Sequence, residues 1–122
     1  MALAEEIISN RYSFQGYDNG QVTINEKTYH NSLILSPNEL VTDWPVNHID
    51  ELTQPQVEQI LALQPEVILL GTGERQIFPA PQLLGLFAQR GLGIEVMNTG
   101  ALCRTFNILV AEDRNVVGAV IL

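Results

Sequence analysis

Short, uninterrupted apolar runs alternate with amphipathic segments through the second half of the chain, and this alternation constrains the fold most. Residues 67–70 are apolar throughout, as expected of a strand that is covered on both faces. Residues 94–97, which are apolar except for Glu95, predict a second covered strand, and the apolar run at 116–122 predicts a third. Helical patterns separate the runs, so we expect parallel strands that are joined by right-handed crossovers.

Three helices are predicted in this half. Thr53 and Gln56 have the spacing of a capping box, which marks the start of the first helix. The second helix is expected over residues 81–90, before a glycine at the C-terminal cap position. The third has apolar residues at helical spacing: Leu102, Phe106, Leu109 and Val110. A strand over residues 107–111, paired with residues 116–122, is an alternative, but the helical spacing favours the helix.

The first half has a different pattern of short alternating strands and turns. Asp18-Asn19-Gly20 is a strong turn signal, and residues 25–26 predict a second turn. A further short strand is expected over residues 40–44. We therefore predict a single three-layer α/β domain over residues 1–122, with a mixed central sheet. Residues 1–46 form an N-terminal β-meander, and residues 47–122 form the alternating helix and strand half with parallel βαβ units.

The charge and the apolar pattern exclude several classes of partner. The formal net charge is −8, from 14 acidic and 6 basic residues, which disfavours binding to nucleic acid. No apolar run approaches the roughly 20 residues that a membrane-spanning helix needs. Residues 1–11 contain two glutamates and no basic segment, unlike a signal peptide. With a single cysteine and so no internal disulfide, we expect a cytoplasmic protein.

Two glycine-containing corners are the strongest candidates for a binding site. Gly71, Thr72 and Gly73 follow one apolar strand, and Asn98, Thr99 and Gly100 follow the next. In open α/β sheets, ligands bind outside the carboxyl ends of strands. The start of the third helix and the side chain of Arg104 would favour a small anion there. Alternatively, the glycines only permit tight turns, and Thr99 is a helix cap; the corners match neither GxGxxG nor a P-loop.

Other chemistry has little support in the sequence. Cys103 lies near the start of the third helix beside Arg104, but a catalytic cysteine also needs an oriented base. His30 and His48 are the only histidines, and they lie in the first half with no recognisable pairing. No cluster has the spacing of metal ligands. We therefore predict no catalytic residue, no metal and no cofactor.

The second half resembles a known family of small α/β proteins of unknown function. The resemblance is carried by PEVILLGTG at residues 65–73, GIEVMNT at 93–99, RTFNIL at 104–109 and EDRNV at 112–116. A mitochondrial member of that family is an assembly factor for respiratory complex I. The resemblance implies a three-layer α/β fold and no established active site. It also implies that Thr105 and Asn107 support the corner at residues 71–73.

The expected function follows from this resemblance and from the lack of a catalytic constellation. A non-enzymatic binding or assembly protein with protein partners, linked to respiratory complexes, is the first expectation. An exposed apolar patch that includes Trp44 or Phe78 would favour it. The alternative is a protein that binds a small anion, or an enzyme, at the two corners. Pairing of meander edge strands in a homo-oligomer is a third possibility.

Overall fold

The computed structural model describes residues 11–122. The N-terminal part consists of five short strands: β1 (Phe14–Asp18), β2 (Gln21–Ile24), β3 (Lys27–Tyr29), β4 (Leu33–Leu35) and β5 (Leu40–Val41). After a 3-10 helix at Ile49–Glu51, helices and strands alternate: α1 (Gln54–Leu61), β6 (Val67–Gly71), α2 (Pro81–Ala88), β7 (Ile94–Met97), α3 (Thr99–Ala111) and β8 (Val116–Val120).

The central sheet is mixed, as predicted. Its five strands have the order β5-β4-β8-β6-β7. Strand β6 is parallel to both β7 and β8, whereas β4 is antiparallel to β8 and to β5. Strands β1, β2 and β3 form a separate antiparallel sheet. The turn signals of the meander are confirmed, because Gly20, Asn25 and Glu26 all have positive φ angles.

Apolar side chains fill the space on both faces of the central sheet. On one face, Ile68 and Leu70 of β6 lie in the same core as Phe87 of α2 and Ile60 of α1. On the other face, Leu69 belongs to a second core, which also holds buried side chains of α3, β1 and β2. Alternate residues of β6 therefore point into different cores, which explains why its sequence is apolar throughout. The predicted three-layer α/β fold is confirmed, and residues 1–10 of the predicted meander lie outside the described residues.

The two crossovers of the parallel strands pass on opposite faces of the sheet. Helix α2 connects β6 to its neighbour β7 on one face, and α3 returns from β7 to β8 on the other face of the sheet. The carboxyl ends of β6 and β7 therefore flank a topological switch point, where open α/β sheets form a crevice. Both predicted corners lie at this edge.

Three sequence expectations need correction. The strand predicted over residues 40–44 covers only Leu40–Val41, because Asp43 has a φ angle of 55° and the chain turns there. Helix α2 ends at Ala88, and residues 89–91 form a turn closed by Gly91 at a φ angle of 72°. The alternative strand at residues 107–111 is wrong, since these residues continue α3.

Candidate functional site

The two predicted corners meet at the carboxyl ends of β6 and β7. The backbone N–H of Thr72 donates to the carbonyl of Met97 at 3.0 Å, which joins the corners directly. Asn98 is the N-cap of α3, and its side chain accepts from the N–H of Ala101 at 2.8 Å. The interpretation of Thr99 as the cap is therefore wrong, because Thr99 is already the first residue of the helix.

Thr99 instead ties three segments together. Its hydroxyl accepts from the N–H of Gly73 at 2.9 Å and donates to the carbonyl of Ile121 at 2.9 Å. Its own N–H donates to the carbonyl of Gly73 at 2.8 Å. The Thr99 side chain is fully buried. One residue thus links the corner after β6, the start of α3 and the chain after β8.

Thr72 and Gly71 complete this close packing. The hydroxyl of Thr72 donates to the carbonyl of Arg75 at 2.5 Å and accepts from the N–H of Ile77 at 3.0 Å. A Cβ atom on Gly71 would lie 3.0 Å from the Thr99 hydroxyl and 3.2 Å from its Cα atom. Glycine at this position therefore allows β6 and α3 to approach, and the polar groups of the corner bind one another.

Gly100 and Arg104 face a different part of the molecule. They line a groove of about 230 Å³ between the outer edge of β1 and helix α3, here named the β1–α3 groove. Its lining residues are Phe14, Gln15, Gly16, Tyr17, Gly100, Cys103, Arg104 and Asn107. A Cβ atom on Gly100 would lie 3.4 Å from Cδ2 of Tyr17. The seven predicted binding residues are thus divided: five form the tied corner, and two line the groove.

The groove contains two groups with shifted pKa values. Burial raises the pKa of Tyr17, and the negative charge of Glu74 raises it further. Burial raises the pKa of the Cys103 thiol to about 12, and the neighbouring Arg104 opposes this shift only in part. A nucleophilic cysteine needs its thiolate form near neutral pH. Cys103 is therefore a protonated, buried thiol at the groove wall.

Asn107 does not support the corner at residues 71–73, so the expectation is wrong for this residue. Its side-chain oxygen accepts from the N–H of Phe14 at 2.9 Å, and its amide nitrogen donates to the carbonyl of Phe14 at 2.7 Å. Asn107 therefore pairs with β1 as a neighbouring strand would. The signal in the sequence was a lone amide in an otherwise apolar stretch, but its partner lies 93 positions away.

The remaining candidate residues are separate from this region. Trp44 is buried, and its Nε1 donates to the side-chain oxygen of Gln59 at 2.8 Å, so the indole is not available to a partner. Phe78 is 78% exposed. His48 accepts from the N–H of Asp50 at the start of the 3-10 helix. Within residues 11–122, no three His, Cys, Asp or Glu side chains lie close enough to hold a metal ion.

A family model matches residues 14–121 of the chain. Its description is "protein of unknown function (DUF498/DUF598)". The chain belongs to this family. The match covers every strand and helix described above, so family membership applies to the whole fold and not to one motif. The resemblance expected from residues 65–116 is confirmed.

Two named relatives and one solved structure are similar over most of the chain. A Francisella tularensis protein named 13 kDa major membrane protein is 34% identical over 117 residues, which cover 95% of both chains. The mouse NADH dehydrogenase (ubiquinone) 1 alpha subcomplex assembly factor 3 is 30% identical over 97% of this chain. The chain spans 61% of the mouse protein. A Xanthomonas campestris solution structure is 43% identical with a TM-score of 0.82, covering 90% of this chain and 83% of that one.

The Francisella relative bears the name of a membrane protein. In the part of this chain that the structure describes, no helix has the length and apolarity needed to cross a membrane.

Proposed function

We propose that this chain is a non-enzymatic binding or assembly protein that acts through protein partners, and that its partners include components of respiratory complexes. The observation that carries the proposal is the similarity to the mouse complex I assembly factor across 97% of this chain. The matching region contains the fold described above, so any role that the two proteins share would belong to this fold. A link to respiratory complexes is inferred from that relative's name alone.

The chemistry of the candidate site supports a binding role. The polar groups of Thr72 and Thr99 are engaged in hydrogen bonds within the corner. The Cys103 thiol is buried and protonated, with no histidine among the groove-lining residues to act as its base. Exposed Phe78 is a large apolar side chain of the kind that anchors protein partners.

An affinity pull-down of the tagged chain from its native host, with membranes included, tests this function. We expect reproducible enrichment of subunits of one defined assembly, identified by mass spectrometry. A preparation that contains only the bait, under conditions that preserve respiratory complexes, would contradict the proposal.

Fractionation of the same cells tests the cytoplasmic location, which stays a prediction. Recovery of the chain with washed membranes would contradict that location.

The second candidate is binding of a small anion by the predicted corner residues and Arg104. It is favoured by one observation, the position of Gly100 and Arg104 in the wall of the same groove. The negative charge of Glu74 beside Tyr17 opposes it. A thermal-shift screen of phosphate and small carboxylates tests this candidate. We expect stabilisation by an anion that is lost in Arg104→Ala, and no stabilisation by any of them would exclude the candidate.

A further inference from the structure

We propose that the β1–α3 groove binds an extended, acidic segment of a partner protein. The segment would add one residue to the outer edge of β1 and place a carboxylate on Arg104. This inference rests on the proposed function in protein binding, and it names the site and the chemistry of the partner. Three observations support the inference: the outer edge of β1, the volume of the groove and the positive charge of Arg104 in its wall.

Strand β1 has one edge that no other strand of residues 11–122 pairs with, because the small sheet has the order β1-β2-β3. The tight turn after β1 pairs Asp18 with Gln21, so these two residues exchange the first hydrogen bonds of the hairpin. Antiparallel ladders alternate, and the next pair, Tyr17 with Val22, is therefore not hydrogen-bonded. The N–H and the carbonyl of Tyr17 consequently point to the outer edge.

Asn107 shows that this edge accepts a partner. It binds both outward-facing backbone groups of Phe14, at 2.9 and 2.7 Å. The register of β1 shifts between Phe14 and Gly16, and this bulge brings Phe14 and Tyr17 to the same edge although they are three positions apart. Within residues 11–122, no group makes hydrogen bonds to the outward-facing backbone groups of Tyr17 in the way that Asn107 does to those of Phe14. One residue of an extended segment would make two hydrogen bonds there.

The groove has room for a side chain rather than for a cofactor. Its volume of about 230 Å³ lies below the roughly 300–1,000 Å³ of clefts that hold drug-sized ligands. One wall is a strand edge and the other is a helix face, with Gly100, Arg104 and Asn107 at helical spacing. Edge-strand grooves take main-chain hydrogen bonds for affinity and pockets for side chains for specificity.

Charge determines which side chain fits. Arg104 is the only charged residue among the eight that line the groove, and its side chain is exposed. The chain as a whole has a formal net charge of −8. The negative charges of Glu74 and Asp18 act on Tyr17, so the positive charge at this groove is confined to Arg104. A partner segment whose Asp or Glu side chain reaches Arg104 is complementary to that charge.

Selection of random heptapeptides displayed on phage, using the purified chain, tests the inference. We expect enriched peptides to share an acidic residue at one position among residues that favour strands. A synthetic copy of such a peptide should bind Arg104→Gln at least tenfold more weakly. Its affinity for Arg75→Gln should stay within about twofold, because Arg75 is exposed and does not line the groove. Equal melting temperatures would show that both variants are folded.

Two readouts test the strand pairing itself. The Tyr17 amide should exchange more slowly with solvent when the peptide is bound, as measured by nuclear magnetic resonance. Methylation of the peptide nitrogen that pairs with the Tyr17 carbonyl should weaken binding, whereas methylation of the next nitrogen should not. Unchanged exchange at Tyr17, or equal effects of the two methylations, would overturn the inference.

Three other results would also overturn it. The selection would enrich no acidic peptide, or the peptide would bind Arg104→Gln as tightly as wild type. In the third, free glutamate would compete with the peptide at the peptide's own concentration. The last result would mean that the groove binds a small carboxylate. The pull-down described above separates this failure from failure of the proposed function. If wild type and Arg104→Gln capture the same defined partner equally, the function stands and the groove proposal is wrong.

Discussion

Replacing Thr99 by valine removes the hydroxyl that joins the corner, and it keeps the volume and the branched Cβ of the side chain. The substitution leaves the N–H of Gly73 without its acceptor and the carbonyl of Ile121 without its hydroxyl donor. An unsatisfied buried polar group costs about 1–3 kcal/mol. The two groups together would cost about 2–6 kcal/mol. Because Gly73 is only half-buried, we expect the lower part of that range, a loss of about 2–4 kcal/mol in the free energy of unfolding.

Urea unfolding of four proteins measures this loss. Wild type is compared with Thr99→Val, with Thr99→Ser, and with Thr105→Val as the matched control. Thr105 lies in the same helix and is half-buried. Its substitution should therefore change the free energy of unfolding by less than about 0.5 kcal/mol. Serine keeps the hydroxyl and should retain most of the stability that valine loses. The slope of the free energy of unfolding against urea concentration should be the same in all four proteins.

Two outcomes would refute this reasoning. If Thr99→Val unfolds within about 0.5 kcal/mol of wild type, the two hydrogen bonds of Thr99 do not stabilise the corner. If serine costs as much as valine, the methyl group and its packing are responsible, and the hydroxyl is not.

Three further predictions concern the same region. Gly71→Ala should lower the free energy of unfolding by about 1–3 kcal/mol through overpacking, whereas Gly85→Ala in α2, with open space at its Cβ, should be neutral or stabilising in the same urea assay. Asn107→Leu should cost about 1–3 kcal/mol in that assay, because two backbone groups of β1 lose their partners. Cys103 has a pKa of about 12 against an ordinary 9.0. The folded protein therefore keeps a proton that the unfolded chain releases above pH 9.0, and wild type should lose stability relative to Cys103→Ala as the pH rises from there.

The alternation of apolar runs and helical patterns was sufficient to predict the layers and the mixed sheet. Residues 67–70 are apolar because β6 is covered by helices on one face and by α3 on the other. That local pattern records burial on both sides, so the fold class is readable without any knowledge of contacts. The same reasoning placed both corners at one edge of the sheet, since parallel strands end together.

The roles of the site residues depend on contacts that the sequence pattern does not contain. Thr99 follows a turn and precedes a helix, which is the usual setting of a cap, but Asn98 occupies that position. The partner of Asn107 is 93 positions away, and nothing in the local sequence points to it. The groove itself depends on a bulge at residues 14–16, and an irregularity in strand register leaves no mark in an alternating pattern.

Helix α3 supports both the corner and the groove, and this arrangement allows stability and partner binding to be separated. Thr99 binds the chain at the end of the central sheet. Asn107 lies about two turns further along the same helix and holds β1, beside the edge-to-face contact of Phe14 with Phe106 at 5.3 Å between ring centroids. Losing the Asn107 hydrogen bonds changes the position of one groove wall. We therefore expect Asn107→Leu to weaken binding of a selected acidic peptide several-fold, at a temperature where the variant is folded. Thr99→Val, at equal or greater cost in stability, should leave the affinity unchanged. If both variants lost affinity in proportion to their stability, binding would depend on the fold as a whole, and the groove would have no separate role.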